Sequence, residues 1–191
     1  SRQRVWGVPL PIFISKKDEK VLVDEEVFNN IANIFEKEGS DCWFENNKQK
    51  FLGKKYNEND FYQTTDIVEV WFDSGSTHSF VLEQRDDLKW PASLYLEGSD
   101  QHRGWFHSSL LESCGTRGEA PFEAILSHGF VVDGKGLKMS KSLGNVISPE
   151  EILKKYGADI LRIWVAASNY AEDLRLDHKI VEQHADAHSK L

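Results

Sequence analysis

The sequence predicts an α/β fold whose sheet is mainly parallel. Two observations support this prediction: short apolar runs alternate with segments of helical spacing, and apolar runs beyond residue 66 end in polar turns. In parallel sheets of this kind, ligands bind beyond the carboxyl ends of the strands. The polar turns at residues 73–77, 97–102 and 128–129 are therefore expected to mark the ligand-binding edge.

The composition argues against several classes of protein. Hydrophobic residues make up 40% of the chain and charged residues 28%, which is typical of a soluble globular protein. The 31 acidic residues outnumber the 23 basic ones, so a surface that binds nucleic acid over its whole extent is not expected. No apolar run is long enough to span a bilayer, and no membrane partner is predicted. Cys42 and Cys114 have no metal or disulfide spacing, which favours a reducing cytoplasm.

The first 66 residues predict a small α/β region. Residues 8–14 are apolar but contain two prolines, which favours a short strand or an extended edge. From residue 24 to residue 37 apolar residues recur at helical spacing, with Asp24 as the expected N-cap and Gly39 as the expected end. Residues 15–65 are therefore predicted to form a small α/β insertion that carries little chemistry.

Beyond residue 66 the sequence predicts a helix and a series of strands. The predicted strands are residues 67–72, 94–96, 124–126 and 130–132. The helix is expected from residue 103 to about residue 113, before a break at Gly115. Its expected buried side chains are Trp105, Phe106, Leu110 and Leu111.

The end of the chain predicts two helices and a polar tail. Ser148 is the expected cap of the first helix, with Pro149 in its first turn and Glu151 three residues after the serine. The second helix is expected at residues 158–167. Residues 177–191 permit a helix but carry too few apolar side chains to fold alone, so we expect them to begin a further domain.

Residues 136–145 read Gly-Leu-Lys-Met-Ser-Lys-Ser-Leu-Gly-Asn and have the chemistry of a polyphosphate clamp. Glycine has a high ordering entropy and serine competes for backbone hydrogen bonds, so the segment is expected to be a mobile loop. The ammonium groups of Lys138 and Lys141 are compact charges on flexible stems, which suit anionic oxygens. A solvated turn is the alternative for any loop rich in lysine and serine.

Residues 97–105 place two acids, an amide, an imidazole, an arginine and an indole at a predicted strand-to-helix junction. Gly98 would let a ligand approach the backbone. The carboxylates of Glu97 and Asp100 can accept hydrogen bonds from ribose hydroxyls or from a substrate ammonium. The alternative is a helix N-terminus whose acids only favour the positive end of the helix dipole.

Three motifs follow one another along the chain. They are Trp-Phe-Asp-Ser-Gly-Ser at residues 71–76, Tyr-Leu-Glu-Gly-Ser-Asp-Gln-His-Arg-Gly-Trp-Phe at residues 95–106, and Lys-Met-Ser-Lys-Ser at residues 138–142. Together they resemble the class I aminoacyl-tRNA synthetases, and they are more similar to the isoleucyl members than to the valyl or leucyl members. Residues 1–9 fit the same family, so the resemblance covers nearly the whole chain.

The resemblance implies the second half of a Rossmann-like nucleotide-binding domain. Residues 1–168 would form this half-domain, with the small insertion at residues 15–65 inside it. Residues 169–191 would begin a helical stem or anticodon-binding region. The other signature of the family, a His-Ile-Gly-His-like motif, does not occur in the 191 residues. The chain alone is therefore expected to have little or no aminoacylation activity and to need the rest of the synthetase chain.

The resemblance also implies which residues bind ATP and the activated amino acid. Lys138 and Lys141 would be catalytic and would meet the ATP phosphates. The aminoacyl-adenylate would contact Glu97, Gly98, Asp100 and Gln101, with Asp100 on the ribose side. The backbone that would hold adenine belongs to His128, Gly129, Phe130 and Val131.

On the amino acid side, the resemblance implies that Trp6 and Trp105 form the walls of the pocket for the isoleucine side chain. Rigid aromatic faces suit such a role. Glu97 and Gln101 would be further contacts of the amino acid. The alternatives are plain core packing for the tryptophans and a structural role for His128.

The implied reaction begins with the carboxylate of isoleucine attacking the α-phosphorus of ATP, with pyrophosphate leaving. The acyl group then passes to the terminal ribose of tRNA(Ile). Mg²⁺ is expected with ATP, but neither zinc nor another metal site is predicted in this chain, because its histidines do not form a metal set with the cysteines. Two alternatives remain open: the same fold with valine or methionine as substrate, and a non-catalytic module that binds nucleotide or RNA.

Overall fold

The computed structural model describes residues 6–190. The chain divides into two compact units, Ser1–Ser76 and Thr77–Leu191. The domain division at residue 168 that the sequence suggested stays a prediction. None of the helices among the described residues has the length and apolar character that crossing a membrane requires.

The first unit combines three helices with one antiparallel strand pair. Its elements are β1 (Phe13–Ser15), α1 (Glu25–Glu38), α2 (Lys48–Leu52), β2 (Phe61–Gln63) and α3 (Val70–Gly75). β1 and β2 pair antiparallel, with Ile14 opposite Tyr62. The predicted helix after residue 24 is confirmed, because the Asp24 side chain accepts from the Glu26 N–H and the chain leaves the helix at Gly39 with φ of 80°.

An aromatic cluster forms the core of the first unit. Trp43 and Phe51 have no exposed surface, and their ring centroids are 4.9 Å apart. The ring centroid of Phe13 lies 5.1 Å from that of Trp43. The indole N–H of Trp43 donates to the Thr64 carbonyl over 2.8 Å, so its one polar group is satisfied inside the core. The first unit therefore has a hydrophobic core, to which Phe13 contributes from outside the predicted insertion.

The strand predicted at residues 67–72 is wrong, whereas the short strand or extended edge predicted at residues 8–14 is confirmed in part. Only β1 and an isolated bridge between Pro9 and Ile67 have strand character there. Proline cannot donate to a ladder, which limits pairing at the first segment. In the second segment the Glu69 carboxylate accepts from the Trp71 N–H over 2.6 Å and caps α3. This cap outweighs the β-propensity of the valine and the aromatic residues that follow it.

The second unit contains four helices and two parallel strand pairs. Its elements are β3 (Tyr95–Gly98), α4 (Trp105–Arg117), β4 (Ile125–His128), β5 (Val131–Asp133), α5 (Pro149–Tyr156), α6 (Ala158–Ala167), β6 (Leu174–Leu176) and α7 (His178–His188). β3 pairs with β4 and β5 pairs with β6, both in parallel. The α/β class with parallel strands is confirmed, and within residues 6–190 the parallel strands form two separate pairs.

Helix α4 runs further than the sequence suggested. It continues through Gly115 to Arg117 and ends at Gly118, which has a left-handed φ of 74°. Phe106 is buried as predicted, but Leu111 is 60% exposed. Five residues of helix place Leu111 roughly 140° around the axis from Phe106, away from the buried stripe.

A second hydrophobic core joins the last three helices. Ile152, Ile160 and Trp164 are buried there with Leu176 of β6 and Val181 of α7. Met139, from the predicted lysine loop, packs against this core. α7 is therefore held to the second unit by Val181, and its assignment to a further domain stays a prediction.

Candidate functional site

The carboxyl ends of β3 and β4 meet at the expected edge. Gly98 lies opposite His128 in the parallel register. A Cβ atom at Gly98 would lie 2.7 Å from Asp100 Oδ1 and 3.7 Å from His128 Cε1, so any side chain there would require the Asp100 carboxylate to move. Glu97 and Asp100 are exposed beside this contact. The structure thus brings four of the predicted site residues together, because parallel strands end on the same side of a sheet.

The side chain of Gln101 has a structural role that the sequence did not reveal. Its Oε1 atom accepts from the Trp105 N–H over 2.9 Å, at the start of α4, where backbone donors lack helical partners. Its Nε2 atom donates to Asp100 Oδ2 over 3.2 Å. Gln101 therefore connects the first turn of α4 to the acidic turn after β3. Its predicted contact with the amino acid stays a prediction.

Trp105 lies flat on Tyr95. The two ring centroids are 4.1 Å apart and the rings are within 6° of parallel. An apolar cavity of about 310 Å³ opens beside this stack, and its lining residues are Thr77, Val81, Leu82, Ala92, Leu94, Tyr95 and Trp105. Burial raises the pKa of Tyr95, whose hydroxyl is 3.1 Å from Ser109 Oγ. Trp105 is thus a fixed wall of an apolar space.

Trp6, the other predicted wall, belongs to the first unit and is 74% exposed. An indole with that much free surface is available to pack against a ligand or another segment. Its predicted role in the amino acid pocket stays a prediction.

The ring of His128 is fixed by its own backbone neighbourhood. The carbonyl of Gly129 lies 2.8 Å from Nδ1, and because a carbonyl can only accept, Nδ1 carries the proton. The ring also faces Gly98 across the strand pair. Both contacts hold the imidazole at the carboxyl edge of β3 and β4.

The backbone at Gly129 is pressed against a distant part of the chain. A Cβ atom there would lie 2.3 Å from the Glu172 carbonyl oxygen, which only glycine avoids. The Gly129 N–H donates to the Tyr170 carbonyl over 2.9 Å, and the Phe130 N–H donates to Asp173 Oδ1 over 2.8 Å.

These hydrogen bonds commit the two amide groups to the fold. The side chains of Phe130 and Val131 are 45% and 43% exposed. Neither N–H group is therefore free to donate to a ligand, and the predicted backbone contacts with adenine stay a prediction.

The lysine loop leaves β5 through a tight turn. The Gly136 N–H donates to the Asp133 carbonyl, and the Asp133 N–H donates to the Leu137 carbonyl, each over 2.9 Å. Gly136 has a left-handed φ of 83°. Lys138 then bridges Val132 in the antiparallel sense. The guanidinium of Arg175, on β6, lies next to this turn, with Nη2 3.6 Å from where a Cβ of Gly136 would be.

Both predicted catalytic lysines are exposed, and the two residues between them, Met139 and Ser140, are half-buried. Lys138 and Lys141 present their side chains to solvent, while Met139 is half-buried against the helical core. Ser140 caps the short turn Lys141–Leu143, and Gly144 closes it with a left-handed φ of 64°. The segment predicted to be a mobile loop therefore has an anchor and a defined turn.

The Asp133 carboxylate is the centre of this loop. Its Oδ1 atom accepts from the Lys135 and Leu137 N–H groups over 2.9 and 2.8 Å, and its Oδ2 atom accepts from Asn145 Nδ2 over 2.9 Å. The hydrogen bond from Asn145, followed by that from Leu137, lowers the pKa of Asp133. Neither Asp133 nor Asn145 was among the predicted residues. The sequence Asp-Gly-Lys-Gly at residues 133–136 is a turn signal that indicates such a carboxylate.

Within residues 6–190, no group of three or more histidine, cysteine, aspartate or glutamate side chains is arranged to hold a metal ion. Cys42 is buried and Cys114 is exposed, and both are free thiols. The polar chemistry of the described site is therefore that of carboxylates, an imidazole and surface ammonium groups.

Comparison with known proteins shows the family to which this chain is similar. A family model described as tRNA synthetases class I (I, L, M and V) matches residues 1–177. The isoleucine–tRNA ligase of Pelagibacter ubique strain HTCC1062 is 75% identical over the whole chain, which covers 21% of that protein. The corresponding protein of Brucella abortus strain 2308 is 56% identical over the whole chain, which covers 20% of it. The chain thus spans about a fifth of the length of these curated relatives.

A solved structure is similar in fold. The agnB2 LeuRS of Agrobacterium radiobacter K84, in a ternary complex with tRNA and LeuAMS, matches 97% of this chain and 26% of its own. The TM-score is 0.69 and the sequence identity is 19%, so this likeness concerns the fold alone.

Proposed function

This chain belongs to the class I tRNA synthetases, and from that premise we propose that it is part of an enzyme that activates isoleucine with ATP and transfers it to tRNA(Ile). The observation that carries the proposal is the similarity over the whole chain to relatives named isoleucine–tRNA ligase. The geometry supports it, because the acidic turn, the stacked indole and the lysine loop belong to one compact unit. The compartment that we propose is the cytoplasm, where free thiols persist.

We propose that the amino acid binds at the acidic turn after β3. Glu97 is exposed and could accept hydrogen bonds from the substrate ammonium. Trp105 would offer its flat face to the aliphatic side chain, since its stack on Tyr95 fixes its orientation.

An apolar pocket of this kind discriminates weakly by size. One missing methylene changes the binding free energy of the transition state by about 1–3 kcal/mol, and isoleucine against valine is itself the case on which this rule rests. Isoleucine is therefore expected to be preferred over valine, without valine being excluded at the activation step.

We propose that ATP lies along the edge from His128 to the lysine loop. Asp100 would hold the ribose hydroxyls, and the exposed side chains of Phe130 and Val131 would contact adenine. Lys138 and Lys141 would meet the phosphates. Negative charge grows on pyrophosphate as it leaves, so cations that approach it in the transition state accelerate the reaction. No side chain needs to act as a nucleophile, because the substrate carboxylate attacks the phosphorus itself.

Mg²⁺ fits this scheme as a companion of ATP. The ion is usually held by substrate phosphates together with one or two carboxylates, and it needs no cage built by the protein alone. Because Glu97 and Asp100 are proposed for the substrate ammonium and the ribose, the phosphates would be the main ligands of the ion. The ion would supply a second positive charge near the phosphates.

The test of this proposal uses a full-length relative in which this chain replaces the homologous segment, which we term the host protein. Pyrophosphate exchange into ATP is measured with isoleucine, valine or methionine as the only amino acid. We expect kcat/KM for isoleucine to exceed that for valine by about 10- to 200-fold, as one methylene allows.

Preference for valine or methionine would make the chain part of another synthetase of the same group. No exchange with any of the three, together with retained ATP binding, would favour a non-catalytic nucleotide-binding module. Both outcomes contradict the proposal.

A further inference from the structure

We propose that Asn145 is a positioning residue for the lysine loop, and that it works as a pair with Asp133, which we term the amide latch. The inference rests on the proposed function, because it concerns how Lys138 and Lys141 are held toward the phosphates. The latch would fix the backbone on both sides of Met139, so that the two ammonium groups are presented in one arrangement.

The hydrogen bonds of Asn145 reach three points of the loop. Its Oδ1 atom accepts from the Ser140 N–H over 2.9 Å. Its Nδ2 atom donates to Asp133 Oδ2 over 2.9 Å and to the Lys138 carbonyl over 3.2 Å. Both donors and one acceptor site of the amide are thus used. One hydrogen bond holds the carbonyl of Lys138, and another holds the N–H of Ser140, the residue directly before Lys141.

Asp133 connects the latch to the rigid part of the fold. It is the last residue of β5 and lies opposite Leu176 in the parallel register with β6. Val132, the residue before it, is 5% exposed. The carboxylate also holds the Lys135 and Leu137 amides, so the turn that enters the loop is part of the same network.

The composition of the loop explains why such a latch is needed. Gly136 and Gly144 lie near its two ends with positive φ angles, and glycine loses more conformational freedom on ordering than any other residue. Lys138 and Lys141 have exposed, flexible side chains. Catalysis by positioned charges requires that this freedom be removed before the transition state. Three hydrogen bonds from the Asn145 amide restrain the backbone that carries both lysine side chains.

The chemistry of the pair allows a reciprocal exchange as a test. In Asn145→Asp, the new carboxylate faces the Asp133 carboxylate and loses both donors, although it can still accept from Ser140. In Asp133→Asn, the new amide faces the Asn145 amide donor to donor. In the double variant, the amide at position 133 donates to the carboxylate at position 145, and its Oδ1 atom still accepts from Lys135 and Leu137. The bond to the Lys138 carbonyl is then lost and a carboxylate oxygen faces that carbonyl, so the recovery is expected to be incomplete.

Pyrophosphate exchange in the host protein gives the first readout. We expect each single variant to lower kcat by about 10- to 100-fold, and the double variant to recover to within about threefold of the parent, as coupled neighbours do. KM for isoleucine is expected to stay unchanged, since the latch touches none of the residues proposed to bind the amino acid. Equal losses in the singles and the double, or single variants within twofold of the parent, would overturn the inference.

Amide hydrogen exchange at Ser140 gives a second readout that needs no activity. We expect Asn145→Ala to speed exchange at Ser140 by about 10-fold or more, as loss of its acceptor opens the loop. The matched control is Asn57→Ala, which removes an asparagine that accepts from the Asn59 N–H in the first unit and should leave Ser140 unchanged. Unchanged exchange at Ser140 in Asn145→Ala would overturn the latch.

The two readouts separate the inference from the proposed function. A host protein without isoleucine-dependent pyrophosphate exchange contradicts the proposed function. Amide hydrogen exchange at Ser140 still tests the latch in that case. Faster exchange at Ser140 with unaltered kcat would show that the latch exists but does not position the lysines, which contradicts the inference.

Discussion

The aromatic core of the first unit and the lysine loop of the second are ordered by different forces. The core is ordered by burial, with Trp43 and Phe51 fully enclosed. The loop has two exposed lysines and is ordered by the hydrogen bonds of Asn145 and the packing of Met139. The comparison teaches that stability and proposed catalysis reside in different residues. A change in the core should alter unfolding, whereas a change in the loop should alter the reaction.

Trp43→Ala should produce the largest effect and tests the core side of this comparison. Loss of a fully buried tryptophan leaves a cavity and an unpaired Thr64 carbonyl, so we expect the first unit to lose about 3–5 kcal/mol of unfolding free energy. Urea denaturation followed by circular dichroism measures this. The matched control is Phe44→Ala, since the Phe44 side chain is 45% exposed and its loss should cost far less. Similar losses in the two variants would contradict the description of the core.

Gly129→Ala tests the close approach of two backbone segments in the second unit. The new methyl group would meet the Glu172 carbonyl at 2.3 Å, so one segment must shift, at a cost of about 1–3 kcal/mol in stability. The control is Gly115→Ala in the interior of α4, where nothing lies within 4 Å and alanine should stabilise the helix by up to about 1 kcal/mol. The two substitutions should therefore change the midpoint of urea unfolding in opposite directions. An unchanged urea midpoint in Gly129→Ala would contradict the close approach of Gly129 to the Glu172 carbonyl.

A smaller loss of stability is expected at low pH. It concerns Asp24, an ionisable residue of the first unit. Hydrogen bonds from Lys55 and then Tyr56 lower the pKa of Asp24 from 3.8 to about 2. Because the folded pKa is the lower one, the carboxylate stabilises the unit above pH 3.8, and this contribution is lost as pH falls toward 2.

We therefore expect Tm to fall less steeply between pH 4 and pH 2, which is about the window set by this pKa shift, in Asp24→Asn than in the parent protein. Thermal unfolding at a series of pH values measures the slope. Asp41→Asn, which removes an exposed acid of the same unit, serves as the control. Equal slopes in the parent protein and in Asp24→Asn would contradict the assignment.

The sequence predicts the helices well where the apolar spacing and the boundary residues agree. Helix α6 occupies residues 158–167 as predicted, and α1 has the predicted cap at Asp24 and the predicted end at Gly39. The short strands are less predictable. Residues 70–72 have strand-forming side chains but begin a helix, which the carboxylate of Glu69 caps.

The candidate site is predictable where parallel topology alone brings residues together. Glu97, Gly98, Asp100 and His128 lie at the carboxyl ends of two parallel strands, so their proximity follows from the fold class. The partnership of Asp133 and Asn145 spans 12 residues and depends on how the loop turns back on itself. Neither motif spacing nor periodicity contains that information, and the structure supplies it.

The central claim is that exposed lysines of the loop stabilise the departing pyrophosphate, and one pair of variants of the host protein tests it most directly. Lys141→Ala is compared with Lys154→Ala, which removes an exposed lysine from α5. Pyrophosphate exchange is measured at saturating isoleucine and ATP. We expect kcat to fall by about 10²- to 10³-fold in Lys141→Ala, as loss of a transition-state charge contact does, and to be unchanged in Lys154→Ala. Equal activity of the two variants would contradict the account.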